Sequence, residues 1–124
     1  MITHSAAVNK ALMKASSMGC LVHRNEVGLF YDLRGNKRKI GVVGRGDIDG
    51  LTPFKGRALA IEVKTGGASR SPEQKRWAAR FESLGGLYIV ARYDDERGID
   101  GDEIIERALN DAMAEHKGVE SNAA

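Results

Sequence analysis

Two short segments of this sequence combine acidic and basic side chains in a pattern that could do chemistry. Asp47 and Asp49 lie in the glycine-rich segment GRGDIDGL, and Glu62 and Lys64 alternate with apolar residues in AIEVK. If the segments form neighbouring strands, two carboxylates and a lysine can share one polar pocket. Such oxygen ligands suit Mg²⁺, which binds one or two carboxylates together with waters and phosphate oxygens. Lys64 would then lie beside an attacking water or a phosphate and stabilise negative charge.

The same residues also have ordinary structural interpretations. A strand with one solvated face alternates apolar and polar residues, so Glu62 and Lys64 could form an exposed pair that contributes little to stability. An Asp before a Gly is typical of turns, which offers such a role to Asp49. Spacing alone favours these interpretations over the chemical one.

The elements that must position these residues follow from hydrophobic periodicity. We predict helices over residues 5–18, 71–84 and 99–115, and strands over residues 20–23, 28–33, 57–65 and 87–91. Ser5 is expected to cap the first helix, and Ser71 to form a capping box with Gln74. The strand–helix–strand unit over residues 57–91 indicates an α/β fold with a mixed central sheet flanked by helices.

Length and composition place the chain among globular proteins of one domain. Its 124 residues are 42% hydrophobic and 29% charged, which excludes a disordered chain. We expect one domain over residues 1–117 and a disordered tail over residues 118–124. A single cysteine, the lack of a long apolar run and the lack of a signal-peptide pattern favour a reduced, cytoplasmic setting with no membrane partner.

The net charge of +2 hides an asymmetry along the chain. Residues 1–93 carry 16 Lys and Arg against 7 Asp and Glu, a net charge of +9, whereas residues 94–124 carry 3 against 10. The first part therefore suits a polyanion such as nucleic acid. Most aromatic residues fall on predicted core faces, which favours a duplex bound through its phosphates over stacked single strands. We interpret the acidic end as a solvated helix face, with pairing to a basic partner as the alternative.

The order of motifs in this chain resembles the virus-type replication-repair nuclease (VRR-NUC) domain of the PD-(D/E)XK nucleases. Five elements occur in the family's order: Arg24-Asn25 before Gly28, the pattern G-x-x-D-x-x-G at residues 44–50, IEVK at residues 61–64, Gln74, and Gly85-Gly86 before a strand. The set spans about residues 20–92, most of the chain. The resemblance implies a core like that of the restriction endonucleases and a metal-dependent nuclease activity.

The resemblance also implies a role for each matched position. Asp47 and Glu62 would be the metal-binding carboxylates, and the backbone carbonyl of Val63 a further ligand. The metal would be Mg²⁺, with Mn²⁺ as a substitute. Lys64 would orient or polarise the attacking water. Gln74 would reach the site from its helix, a role compatible with its place in the capping box.

The chain departs from the family pattern in its first helix. Family members usually carry a glutamate there, whereas the helix predicted over residues 5–18 contains no Asp or Glu. This ligand is either missing, supplied by His4 or replaced by Glu26, so we expect a single Mg²⁺ rather than two. Asp49 is the second choice of carboxylate ligand, because the register of the motif selects Asp47.

The resemblance and the basic charge together predict a structure-selective DNA endonuclease. We expect it to act on branched duplex DNA such as a Holliday junction, in replication or repair, and as a homodimer. Two other functions stay open: a non-catalytic binder of branched nucleic acid, and a subunit of a phage or plasmid replication complex. The basic residues that are candidates for phosphate contacts, each of which could equally be a solvated surface charge, are Arg24, Lys37, Arg38, Lys39, Arg45, Arg70, Lys75 and Arg76.

Overall fold

The fold is known from a computed structural model, which describes residues 1–25, 28–40 and 46–123. Its elements are, in chain order, α1 (His4–Ser17), β1 (Leu21–Arg24), β2 (Gly28–Tyr31), β3 (Lys37–Ile40), β4 (Ile48–Leu51), β5 (Ala58–Thr65), α2 (Pro72–Ser83), β6 (Leu87–Tyr93) and α3 (Gly101–Ala123). A 3₁₀ turn at Asp95–Arg97 lies between β6 and α3. Glu26, Arg45 and the side chains of Lys37–Lys39 lie outside the described part of the chain.

A four-stranded sheet in the order β1-β4-β5-β6 forms the centre of the fold. β4 pairs antiparallel with both β1 and β5, whereas β5 and β6 are parallel. α2 connects the two parallel strands, as a crossover requires. The predicted mixed central sheet flanked by helices is therefore confirmed.

Two hydrophobic clusters hold helices on opposite faces of the sheet. α1 and α3 pack on one face, over a buried core that includes Leu59, Ile61, Val63 and Ile89. α2 packs on the other face, where the buried cluster consists of Ala60, Ala78 and Tyr88. Because side chains alternate along β5, Glu62 lies on the α2 face. The acidic residue of the motif, Glu62, is therefore covered by α2 rather than exposed to solvent.

Two of the helices extend beyond their predicted ranges. α1 begins at His4, and its cap is Thr3 rather than Ser5, because the Thr3 hydroxyl accepts a hydrogen bond from the Ala6 N–H at 3.1 Å. α3 continues to Ala123, through the segment where we expected a tail to begin. The capping box at the start of α2 is present as predicted.

Two strands lie in segments to which the sequence assigned no definite strand. The basic run Lys37–Lys39 belongs to β3, which pairs with β2 in a separate two-stranded sheet. The segment around Asp49 forms β4, so the turn role considered for Asp49-Gly50 is wrong. Charged and glycine residues favour strands only weakly, and pairing with neighbouring strands decides their conformation here.

Among the helices in the described ranges, none is long and apolar enough to span a membrane.

Candidate active site

Asp47 directly precedes β4 and lies beside the C-terminal end of β5, so it is at the end of the two central strands of the sheet. Its Oδ2 accepts a hydrogen bond from the Val63 N–H at 2.7 Å, and its own N–H donates to the Ile61 carbonyl at 2.8 Å. In a regular antiparallel pair, a backbone carbonyl of the neighbouring strand would accept the hydrogen bond from the Val63 N–H. Here the Asp47 carboxylate accepts it instead. This contact joins the two predicted motif segments at the residue between Glu62 and Lys64.

Asn25 and Gly46 shape the backbone that leads into Asp47. The Asn25 N–H donates to the Asp47 carbonyl at 2.7 Å, and the Asn25 side-chain amide donates to the Gly46 carbonyl at 3.1 Å. Gly46 has φ of +104°, and a Cβ there would lie 3.0 Å from the Ile61 carbonyl oxygen. Only glycine adopts this conformation without strain. Asn25 of the motif set, together with Gly46 at one of its variable positions, therefore positions the backbone of Asp47.

Glu62 is a buried carboxylate with two hydrogen-bonding partners. It is 0% exposed, and the Arg70 Nε donates to its two oxygens at 2.9 and 3.1 Å. The Tyr88 hydroxyl donates to Oε1 at 2.9 Å. Burial first, and then the hydrogen bond to Glu62, raise the pKa of the Tyr88 hydroxyl, so it remains a donor. The interpretation of Glu62 and Lys64 as an exposed pair is therefore wrong for Glu62.

Lys64 and Gln74 meet at the N-terminus of α2. The Lys64 Nζ donates to Gln74 Oε1 at 3.0 Å, and the same oxygen accepts from the Ser71 N–H at 2.8 Å. The Gln74 N–H donates in turn to the Ser71 hydroxyl at 3.1 Å. Gln74 thus takes part in the capping box and contacts Lys64 at the same time, so the N-terminus of α2 holds the lysine in place.

His4 reaches the same strand end from the face of the sheet on which α1 packs. Its Nε2 lies 3.3 Å from Asp47 Oδ1 and 3.2 Å from the Val63 carbonyl oxygen. Its side chain is 52% exposed, so this strand end is open to solvent. Of the two candidates for the first-helix ligand, His4 contacts the predicted metal ligands, and Glu26 lies outside the described residues.

Asp49 belongs to different surroundings. It is buried, and its Oδ1 lies 2.7 Å from Nε2 of His23, its register partner on β1. The pair borders a shallow cavity of about 310 Å³, whose wall includes Trp77 and Phe81 of α2. The second-choice ligand thus contacts His23 of β1.

The predicted site residues fall into two groups. Asp47, the Val63 carbonyl and His4 meet at the strand end, whereas Glu62 and Lys64 contact partners on the α2 face. Within the ranges that the structure describes, no three His, Cys, Asp or Glu side chains are arranged to hold a metal ion. Because the Glu62 carboxylate faces Arg70, the ligand set implied by the resemblance is not assembled in this arrangement.

Three candidate phosphate contacts surround the N-terminus of α2. Arg70 precedes the helix and has 28% of its side chain exposed beyond its ion pair with Glu62. Lys75 is exposed, and Arg76 is 72% exposed and forms a 3.6 Å ion pair with Glu73. The capping box already uses the N–H groups of Ser71 and Gln74, and Pro72 has no N–H, so this helix end attracts anions mainly through its positive dipole. The dipole and the three cationic side chains give this end of α2 the charge that a phosphate needs.

The other candidate contacts are less informative. Arg24 donates to the Ser5 hydroxyl and to Asn9 Oδ1 of α1 at 3.3 to 3.4 Å, which ties β1 to the first helix. The side chains of Lys37–Lys39 and the whole of Arg45 lie outside the described residues, so their predicted contacts stay predictions.

Tyr88 was not among the residues predicted from the sequence, and Arg70 was predicted only as a phosphate contact. The alternation of side chains in β6 could have indicated Tyr88. Parallel pairing sets Tyr88 opposite Ala60 and Val90 opposite Glu62, so Tyr88 lies on the same face of the sheet as Glu62. A hydroxyl on that face can satisfy a buried carboxylate. No local pattern indicates that the loop before α2 returns Arg70 to Glu62.

Comparisons of the chain with protein-family models and with curated proteins gave no match.

Proposed function

We propose that this chain is a divalent-metal-dependent DNA endonuclease of the PD-(D/E)XK type, similar to the VRR-NUC domains, that hydrolyses phosphodiester bonds in branched DNA. The hydrogen bond from the Val63 N–H to the Asp47 carboxylate carries the proposal, because it joins the two acidic motif segments. The mixed sheet with helices on both faces supports it at the level of fold class.

The burial of the Glu62 carboxylate against the partly exposed Arg70 supports a site with a chemical role. Removing a charged group from water is often less favourable for stability than packing an apolar side chain into the same volume. A buried carboxylate paired with a cation beside a strand end is therefore a candidate functional site. We infer that Glu62 serves as a metal ligand by exchanging the Arg70 guanidinium for the ion.

The donor atoms present fit a hard divalent cation. Asp47 Oδ1 and the Val63 carbonyl oxygen both lie within 3.3 Å of the His4 Nε2, so the two oxygens border the same side chain. Carboxylate and carbonyl oxygens are ligands that Mg²⁺ and Mn²⁺ prefer. Asp47, the Val63 carbonyl and the released Glu62 would hold the ion.

Each residue then has a distinct part in the hydrolysis. A bound ion supplies Lewis-acid stabilisation of the phosphate and lowers the pKa of a water. Lys64, held by Gln74 at 3.0 Å, stabilises negative charge on the attacking water or the phosphate. Arg70, once released from Glu62, is free to bind a phosphate at the start of α2. The net charge of +9 over residues 1–93 retains the polyanion.

A substrate panel tests this function. The full chain is incubated with Mg²⁺ or Mn²⁺ and a four-way junction, a flap, a linear duplex or a single strand. We expect cleavage of the branched substrates that EDTA abolishes. Junction binding without cleavage in either metal would favour the non-catalytic binder, and neither binding nor cleavage would favour a subunit of a replication complex. Light scattering tests the proposed homodimer, which a purely monomeric protein would exclude.

The exchange of Arg70 for metal makes a prediction about stability. In Arg70→Met the buried Glu62 loses its ionic partner, which costs about 2 kcal/mol for a partly exposed pair. A chain of this size should lose roughly 6 °C in Tm. Added Mn²⁺ should raise the Tm of this variant more than that of the wild type, because no guanidinium competes for Glu62. Thermal unfolding with and without Mn²⁺ measures both effects.

Arg76→Met is the matched control for Arg70→Met. Arg76 forms an exposed pair with Glu73, so its loss should change neither the Tm nor the response to Mn²⁺. If Mn²⁺ stabilises Arg70→Met no more than it stabilises the wild type, Glu62 does not exchange Arg70 for metal.

A further inference from the structure

The His4 Nε2 lies at distances from its two oxygen contacts that are typical of neighbouring ligands on one metal ion. Adjacent ligands on an octahedral ion with bonds of about 2.1 Å lie about 3.0 Å apart. The His4 Nε2 lies 3.2 Å from the Val63 carbonyl oxygen and 3.3 Å from Asp47 Oδ1. Both separations are therefore close to the distance between neighbouring ligands of one ion.

A rigid element holds the imidazole at this point. His4 is the first residue of α1, directly after the capping residue Thr3. Ala7 and Val8, in the following turn, are 0% exposed and belong to the core beneath the sheet. A side chain on a packed helix is positioned more accurately than one on a loop. The contact with Asp47 is thus a property of the fold.

We propose that His4 is a nitrogen ligand of the metal site and that it shifts the site's preference from Mg²⁺ toward first-row transition-metal ions such as Mn²⁺. The inference rests on the proposed function, because it assumes that Asp47 and the Val63 carbonyl bind a metal. Imidazole nitrogen is a ligand of transition metals, whereas Mg²⁺ prefers oxygen. Binding the ion would require the ring proton on Nδ1, so a bond from the Nε2 lone pair to the metal would replace the hydrogen bond that Nε2 donates to the Val63 carbonyl.

Pulsed electron paramagnetic resonance of bound Mn²⁺ tests the proposal without relying on activity. We expect the spin echo of the Mn²⁺-loaded protein to be modulated by a directly coordinated nitrogen. Selective ¹⁵N labelling of histidine should change that modulation to the ¹⁵N pattern. His4→Gln should abolish it, whereas His23→Gln, which changes a histidine paired with Asp49, should leave it intact.

Metal affinity gives a second measurement. Residues that only support a ligand change metal affinity by about 10–100-fold, so loss of His4 itself should weaken Mn²⁺ binding at least about tenfold. Mg²⁺ binding should weaken less, and the ratio of the two affinities should therefore fall in His4→Gln. The 52% exposure of His4 makes this substitution compatible with folding, which circular dichroism checks.

The outcomes separate this inference from the proposed function. If Asp47→Asn abolishes Mn²⁺ binding but the wild type shows no nitrogen coupling, His4 is only a hydrogen-bond donor, and the proposed metal site stands. An unchanged ratio of Mn²⁺ to Mg²⁺ affinity in His4→Gln would also overturn the inference. Absence of any Mn²⁺ binding by the wild type would reject both the inference and the metal site.

Discussion

Asp47→Asn is expected to reduce cleavage of branched DNA at least about a thousandfold while junction binding is retained. Asn keeps the size of the side chain and an oxygen that can accept from the Val63 N–H, so the strand contact at 2.7 Å survives. Only the negative charge is lost, and with it the strongest oxygen donor at the strand end. Single-turnover cleavage measures the effect, and junction binding without metal provides the reference.

Asp49→Asn is the matched control, since it makes the same chemical change two residues further along. Asp49 is paired with His23 on β1, so its loss should leave cleavage close to that of the wild type. A strong loss in Asp49→Asn with a mild effect in Asp47→Asn would mean that the register of the motif has been misread.

Glu62→Gln and Lys64→Met extend the test to the other two motif residues. Both should lose cleavage to a similar extent, because Glu62 is a proposed ligand and Lys64 is proposed to stabilise charge that develops in the transition state. Glu62→Gln retaining most of the wild-type activity would show that Glu62 serves Arg70 and Tyr88 alone.

The α/β architecture could be predicted because β5 carries its own evidence. Apolar residues alternate over eight residues, and a capped helix and an apolar strand follow. That alternation identifies the two faces of β5 but not what covers each face. The burial of Glu62 depends on α2, Tyr88 and Arg70, none of which is encoded in the strand itself.

The contact of His4 with the site shows where sequence reasoning stops. His4 and Val63 are 59 positions apart in the chain, and no periodicity links them. Only the packing of α1 on the sheet brings the imidazole to the end of β5. The departure of the first helix from the family pattern was visible in the sequence, but a contact of this kind depends on tertiary structure.

Gly50→Ala is expected to cause the largest loss of stability of any substitution considered. A Cβ on Gly50 would overlap the Leu21 carbonyl oxygen and lie 2.8 Å from the Val22 Cα. Both atoms belong to the backbone of β1, so the overlap is relieved only if β1 separates from β4, with which it pairs. We expect a loss of at least about 3 kcal/mol in the free energy of unfolding, measured by urea denaturation.

The same displacement should reach the site, because Asn25 follows β1 and donates to the Asp47 carbonyl at 2.7 Å. Under conditions where Gly50→Ala is still folded, its Mn²⁺ affinity should therefore also be lower. Gly118→Ala is the control of opposite sign: apart from the backbone of α3 itself, no atom of the described residues lies within 4 Å of its Cβ position, and alanine should stabilise that helix by about 0.5–1 kcal/mol. If Gly50→Ala were as stable as the wild type, the backbones of β1 and β4 could not approach as closely as this register requires. The closeness of β1 would then not explain why the motif ends in a glycine at position 50.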